Sequence, residues 1–327
     1  MMMYLHLVGG LLLLLIAGDL LVRGAIALAT RLGIPPLIIG LTIVSFGTSA
    51  PELIISLRAA FEGAAGIAIG NVVGSNITNI LLVLGMPALI RMTQCTENGV
   101  RSSTVFMMTI SIVFTALCWQ GVLDITAGII LLSLLAFFLS WTVWTSRKQK
   151  GEPCDLMDDD MLDEAPSSLG LAVLFTVVGI IGLPIGGNFT IDGATAIART
   201  WGVSEATIGL TVVALGTSLP ELVTTLVAAI RNQGAVAIGN VVGSNIFNIL
   251  AIMGLTATII PIRVPSEVID FDLWIMLASS ALMLPVALLR MNITRMRGIA
   301  MLIAYATYIA VVFKVGELPD ISLGIKF

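Results

Sequence analysis

Two glutamates sit where an acidic side chain is hardest to accommodate. Glu52, in GTSAPEL, and Glu221, in GTSLPEL, each lie deep inside a long apolar run. An ionised carboxylate in hydrocarbon is costly, so each must be paired with a base, hydrated, protonated or bound to a cation. A salt bridge would serve structure alone. Arg58 is the one base close in sequence to Glu52, and the matching position after Glu221 is Val227, so pairing does not account for both. Thr48 and Ser49 precede Glu52 by four and three residues, on one helical face, and Thr217 and Ser218 do the same for Glu221. Pro51 lacks an N–H and frees the carbonyl of Gly47; Pro220 frees that of Gly216. Loosened backbone at membrane depth is tolerated where it lines a cavity or finds protein partners. Each short segment thus offers carboxylate, hydroxyl and carbonyl oxygens at one depth.

A second segment follows each of these. In GNVVGSNITNI, Asn71, Ser75 and Asn79 recur every four residues; in GNVVGSNIFNI, Asn240, Ser244 and Asn248 repeat the stripe. Taken alone, such stripes suit hydrogen bonding between helices as well as ligation; their duplication beside both glutamates favours ligation. Gly70 and Gly74, like Gly239 and Gly243, form small-xxx-small spacings suited to close packing. An all-oxygen site with two carboxylates selects hard cations. Calcium takes about 6–8 oxygens in flexible geometry, magnesium demands a tight octahedron, and the lack of sulfur and imidazole disfavours zinc, copper and iron. Two ionised glutamates balance one Ca2+ or two Na+, and a third Na+ would leave the loaded site positive. No nucleotide-binding motif occurs, so ion gradients are the expected energy source.

The elements that position these residues follow from composition. Of 327 residues, 57% are hydrophobic and 11% charged, with a mean hydropathy of +1.06, which excludes a soluble globular chain. Apolar segments run over about 5–30, 35–61, 66–90, 103–120, 122–146, 169–200, 204–231, 234–260, 271–290 and 297–314. The first is expected to be retained as a helix, since Asp19 and Arg23 stand where a signal cleavage site would be. Between the fifth and sixth lies a polar stretch, 147–168, with an acidic run from Asp155 to Glu164 that lacks the EF-hand pattern and reads as a solvated linker. Cys95, Cys118 and Cys154 form no metal or disulfide motif. The single histidine, His6, suits a membrane interface.

The two halves superimpose at an offset of 169. Across Gly40–Gly85 and Gly209–Gly254, 27 of 46 positions are identical without a gap, many of them Gly, Pro, Ser, Thr, Asn and Glu. Five helices per repeat is odd, so the second repeat enters the membrane from the opposite side. With the N-terminus outside, ten basic residues fall on the inner side (Arg31, Arg91, Arg101, Arg147, Lys148, Lys150, Arg231, Arg290, Arg295, Arg297). Five fall outside (Arg58, Arg199, Arg263, Lys314, Lys326), as the positive-inside rule requires. The fold expected is an all-α membrane protein of ten transmembrane helices in two inverted five-helix repeats. Residues 1–146 form the first repeat, 147–168 a cytoplasmic linker and 169–327 the second. Both termini are outside, and the binding site is near the midplane.

The paired GTSxPEL and GSNxxNI segments resemble the alpha repeats of the calcium/cation antiporter superfamily, in its sodium/calcium exchanger-like prokaryotic branch. The resemblance covers nearly the whole chain. It implies a diamond of the second, third, seventh and eighth helices, with the first and sixth sliding across it. By motif it implies as ligands Thr48, Ser49, Glu52, Ser75 and Asn79, together with Thr217, Ser218, Glu221, Ser244 and Asn248, and backbone carbonyls near Ser45 and Ala214 for sodium. Potassium-dependent relatives carry aspartate where this chain has Asn248, which argues against potassium co-transport. The activity implied is exchange of Na+ for Ca2+, with no cofactor, no catalytic residue, small inorganic cations and the bilayer as partners, and no nucleic acid. A monomer suffices for the site, and short loops suit a prokaryotic cytoplasmic (inner) membrane. Proton-coupled calcium antiport is the alternative, because buried carboxylates can carry protons; a passive channel or a cation-sensing receptor fits less well. Asp19, Arg23 and Asp192, in the first and sixth helices, are expected to pair rather than ligate.

Overall fold

The computed structural model describes residues 2–93, 99–148, 166, 168–202 and 214–316. The chain is helical throughout this range apart from short connections. In order come α1 (Met2–Leu32), α2 (Pro36–Thr48), α3 (Ala50–Phe61), α4 (Ala65–Ile90), α5 (Val100–Cys118), α6 (Ile125–Lys148) and α7 (Leu169–Thr200). They are followed by α8 (Ala214–Thr217), α9 (Leu219–Ile230), α10 (Gly234–Ile259), α11 (Val268–Leu288) and α12 (Arg295–Gly316). Among the described residues, eight helices are long and apolar enough to cross a membrane, and α2 with α3 makes a ninth candidate bent by 45°. The expected span 204–231 begins in residues outside the described range. So do the acidic run Asp155–Glu164, Cys95, Cys154 and the C-terminus.

Local sequence sets the helix ends. Gly33, at φ 63°, closes α1 with Ile34 N–H bonding to the Ala29 carbonyl, and Pro36 opens α2. Gly63 and Asn232, an offset pair, stop α3 and α9 in the same left-handed conformation. The outward faces of α1 and α7 expose Leu12, Ile16, Leu174 and Ile181. Such a belt suits lipid, not water. At 31 and 32 residues, each helix is about 46–48 Å long, more than the roughly 30 Å of hydrocarbon and long enough to span it with tilt.

α1 and α7 lie against one another, antiparallel and very close. A Cβ on Gly10 would stand 2.5 Å from Thr190 N and 2.8 Å from the Gly186 carbonyl; one on Gly179 would stand 2.7 Å from Leu21 N and 2.8 Å from the Ala17 carbonyl. Those contacts exchange under the 169-residue offset. The same holds for Gly24 against Ala172 and Thr176, and Gly193 against Met3 and Leu7.

The centre belongs to α4 and α10, which are buried along most of their most apolar stretches. Each carries a π-turn starting at an offset asparagine, Asn79–Val83 and Asn248–Met253. α2 packs on α10, where a Cβ on Gly239 would meet the Leu37 carbonyl at 2.6 Å and one on Gly243 the Ser45 hydroxyl at 2.5 Å. The close-packing reading therefore holds for these two glycines. For Gly70 and Gly74, the offset counterparts of Leu37 and Leu41 lie outside the described residues. A two-residue antiparallel ladder joins β1 (Val122–Leu123) to β2 (Ile262–Arg263), and a bridge pairs Thr93 with Ile293. At that second end Arg91 donates to the Ile230 carbonyl and Arg295 to the Leu89 carbonyl.

Candidate functional site

Both glutamates sit immediately after a break in their helix. Ser49 (φ −83°, ψ 6°) and Ser218 (φ −88°, ψ 5°) leave helical geometry, and Pro51 and Pro220 open the next helix at its second position. A proline there sacrifices no hydrogen bond of the new helix. The sequence expectation of loosened backbone at this depth is met twice. Glu52 is 1% exposed and Glu221 0%. Arg58 takes no part: it bonds Glu62 at 2.8 Å on the surface.

The repeats interlock at this point. Ser49 donates to Glu221 Oε1 at 3.0 Å, and Ser244 reaches the same oxygen at 3.5 Å. Thr48 lies 3.1 Å from Asn240 Oδ1, 3.3 Å from the Ser45 carbonyl and 3.4 Å from the Ser244 hydroxyl; its single proton serves one of these. Asn71 donates to Ser56 (3.0 Å) and to the Glu52 carbonyl (3.3 Å), and Asn240 matches it with Thr225 (3.0 Å) and the Glu221 carbonyl (3.4 Å). These two asparagines fasten each glutamate-bearing helix to its neighbour.

Asn76 and Asn245, which sequence reasoning did not single out, complete the arrangement. Asn79 donates its amide N–H to Asn245 Oδ1 at 3.2 Å, and Asn248 donates to Asn76 Oδ1 at 3.1 Å. The supporting amides in turn donate to sulfur, Asn76 to Met276 and Asn245 to Met107, again an offset pair. An amide held by its nitrogen must present its oxygen the other way. The signal was available, since the pair is identical in GSN of both repeats, but it lay off the four-residue stripe.

Eleven buried side-chain oxygens have no hydrogen-bond partner among the described residues, and six of them belong to expected ligands: Glu52 Oε1 and Oε2, Glu221 Oε2, Asn79 Oδ1, Asn248 Oδ1 and Ser218 Oγ. Each such atom costs about 1–3 kcal/mol, more when charged. Together the six rival a whole domain's stability of about 5–15 kcal/mol, a cost that a bound cation, water or a proton would relieve. Among the described residues no group of three or more His, Cys, Asp or Glu side chains could hold a metal, which leaves two carboxylates with neutral oxygens. Of the other expected ligands, Thr217 and Ser75 are buried nearby in sequence, and Ser45 is buried and donates to the Thr42 carbonyl at 3.3 Å. Ala214 opens the short α8 before the second break. Asp19 forms an ion pair with Arg231 across helices and a looser one with Arg23.

Residues 2–144 and 171–314 match the model of the sodium/calcium exchanger protein family. The inner membrane protein YrbG of Escherichia coli is 39% identical over 276 residues, 84% of this chain and 85% of that protein. The sodium/calcium exchanger MaX1 of Methanosarcina acetivorans is 31% identical over 351 residues, 95% of this chain and 99% of its own length. The solved structure of the sodium-calcium exchanger NCX_Mj, soaked with 2.5 mM Na+ and 0.1 mM Ca2+, is similar at a TM-score of 0.83 and 30% identity. It covers 95% of this chain and 98% of that one.

Proposed function

This chain belongs to the sodium/calcium exchanger family, and on that premise we propose that it exchanges Na+ for Ca2+ by alternating access through one site built around Glu52 and Glu221. The family and fold are those of multi-pass membrane antiporters. The observation that carries the finer reading is the set of six unpartnered oxygens drawn from both repeats. Ca2+ takes about 6–8 oxygens, and two carboxylates neutralise it. The ligands we assign are Thr48, Ser49, Glu52, Ser75, Asn79, Thr217, Ser218, Glu221, Ser244 and Asn248, with carbonyls near Ser45 and Ala214 for sodium.

The architecture proposed is ten spans in two inverted repeats, 1–146 and 169–327, around a cytoplasmic linker 147–168. Both termini lie outside a prokaryotic inner membrane. Contacts that exchange under the offset support it, as does the excess of basic residues on one side. An inverted pair places equivalent ligands on both sides of the midplane, the arrangement alternating access needs.

The test is radioactive calcium uptake into sodium-loaded proteoliposomes diluted into sodium-free buffer at equal pH. Uptake is expected, vanishing when choline replaces internal sodium. Glu52→Gln and Glu221→Gln should each abolish uptake while the protein stays monodisperse in detergent; full transport in both variants would remove the site assignment. Uptake driven by an acidic lumen and indifferent to sodium would instead establish proton coupling.

A further inference from the structure

Away from the polar centre, a cavity of about 720 Å3 opens between α5, α6 and α11. Arg101, at the start of α5, and Arg290, just beyond the end of α11, stand at its rim, and Phe106, Phe137 and Trp141 line it further in. From Arg101 to Thr109 it follows α5 for eight residues, about 12 Å of helix. Neither guanidinium has a hydrogen-bond or ion-pair partner among the described residues. Arg290 adopts φ 49°, a left-handed conformation that suits glycine far better than arginine.

The offset supplies an internal comparison. The counterpart of Arg290 is Gly121, at φ 78°, and that of Arg101 is Asp270. Where the groove has Leu288 and Val105, the other repeat has Trp119 and Trp274, whose rings meet edge to face 5.5 Å apart. One backbone frame therefore carries two different fillings. The basic groove is not required by the fold, and it lies on the side that the excess of basic residues marks as inner.

We propose that this groove seats an anionic phospholipid, with its phosphate between Arg101 and Arg290 and its acyl chains along the aromatic wall. Guanidinium groups match phosphate oxygens in a forked geometry, and tryptophan favours headgroup depth. Charge at the rim with apolar depth below matches a lipid; a soluble anion would leave the aromatic wall uncovered.

The full chain in neutral detergent would be titrated with dioleoylphosphatidylglycerol or dioleoylphosphatidylcholine and read by native mass spectrometry. Phosphatidylglycerol should bind about tenfold more tightly, two arginines each contributing to attraction of an anionic headgroup. Arg101→Gln with Arg290→Gly should bring the two lipids to parity. Glycine already occupies the counterpart of position 290, so this variant should remain monodisperse and keep calcium uptake. Equal affinity of the unsubstituted protein for both lipids would overturn the proposal, as would a preference that survives the double substitution. Displacement of phosphatidylglycerol by equimolar glycerol 3-phosphate would assign the site to a soluble anion instead. A preference that emerges only when Asp155–Glu164 are neutralised would assign the groove to that acidic segment.

Discussion

A carboxylate can be read from sequence as out of place, but the atoms that aim it cannot. Glu52 and Glu221 stood out because each lies deep in apolar sequence at the same point of its repeat, and their hydroxyl neighbours followed from helical spacing. Asn76 and Asn245 did not stand out, because an asparagine inside a helix is ambiguous until its partner on another helix is known. That partner lies 166 or 172 residues away. Their role is positional and yields a specific expectation. Asn245→Leu would leave the Asn79 amide free to turn its N–H2 toward the cation. Support of this kind is worth about 10–100-fold in metal affinity. The half-saturating calcium concentration for uptake should rise within that range, with little change in thermal stability, and Asn76→Leu should do the same through Asn248. A fall in melting temperature with unchanged calcium affinity would make both residues mere packing.

Among the helices, the breaks were legible and the close approach was not. Proline immediately before each glutamate announced the interruption of α2–α3 and α8–α9. The α1–α7 contact depends on which face of each glycine-bearing helix turns inward, and mixed apolar sequence does not reveal that. Adding one methyl group at three glycines should test it. In a helix interior, Gly→Ala ordinarily gains about 0.5–1 kcal/mol. At Gly10 the new Cβ would lie 2.5 Å from the Thr190 backbone nitrogen, and at Gly193 it would run into the Leu7 backbone nitrogen; backbone cannot yield as a side chain does. Gly10→Ala and Gly193→Ala should each cost about 1–3 kcal/mol and lower the melting temperature in detergent. Gly9→Ala, one residue away with nothing within 4 Å of its Cβ, should be neutral or stabilising. A drop at Gly9 as large as at Gly10 would mean that the glycines serve flexibility rather than contact.

For the molecule as a whole, the repeat was the most legible feature, because 27 identities in 46 positions leave little room for separate architectures. Its consequence reaches beyond the aligned segments: contacts between α1 and α7, and both paired asparagine bridges, exchange under the same offset. Two copies of one unit that exchange contacts this way are related by a two-fold axis. An axis lying in the membrane plane sends offset partners to opposite sides. Helix packing alone leaves this undecided, since the bilayer is what defines the sides. Gln120 and Leu289 are offset partners, and both are exposed. In a background with Cys95, Cys118 and Cys154 changed to serine, Gln120→Cys should react with an impermeant maleimide added to intact cells. Leu289→Cys should react only after the membrane is opened. Reaction of both from one side would break the inverted plan, and with it the argument that one pair of glutamates serves an inward-facing and an outward-facing site.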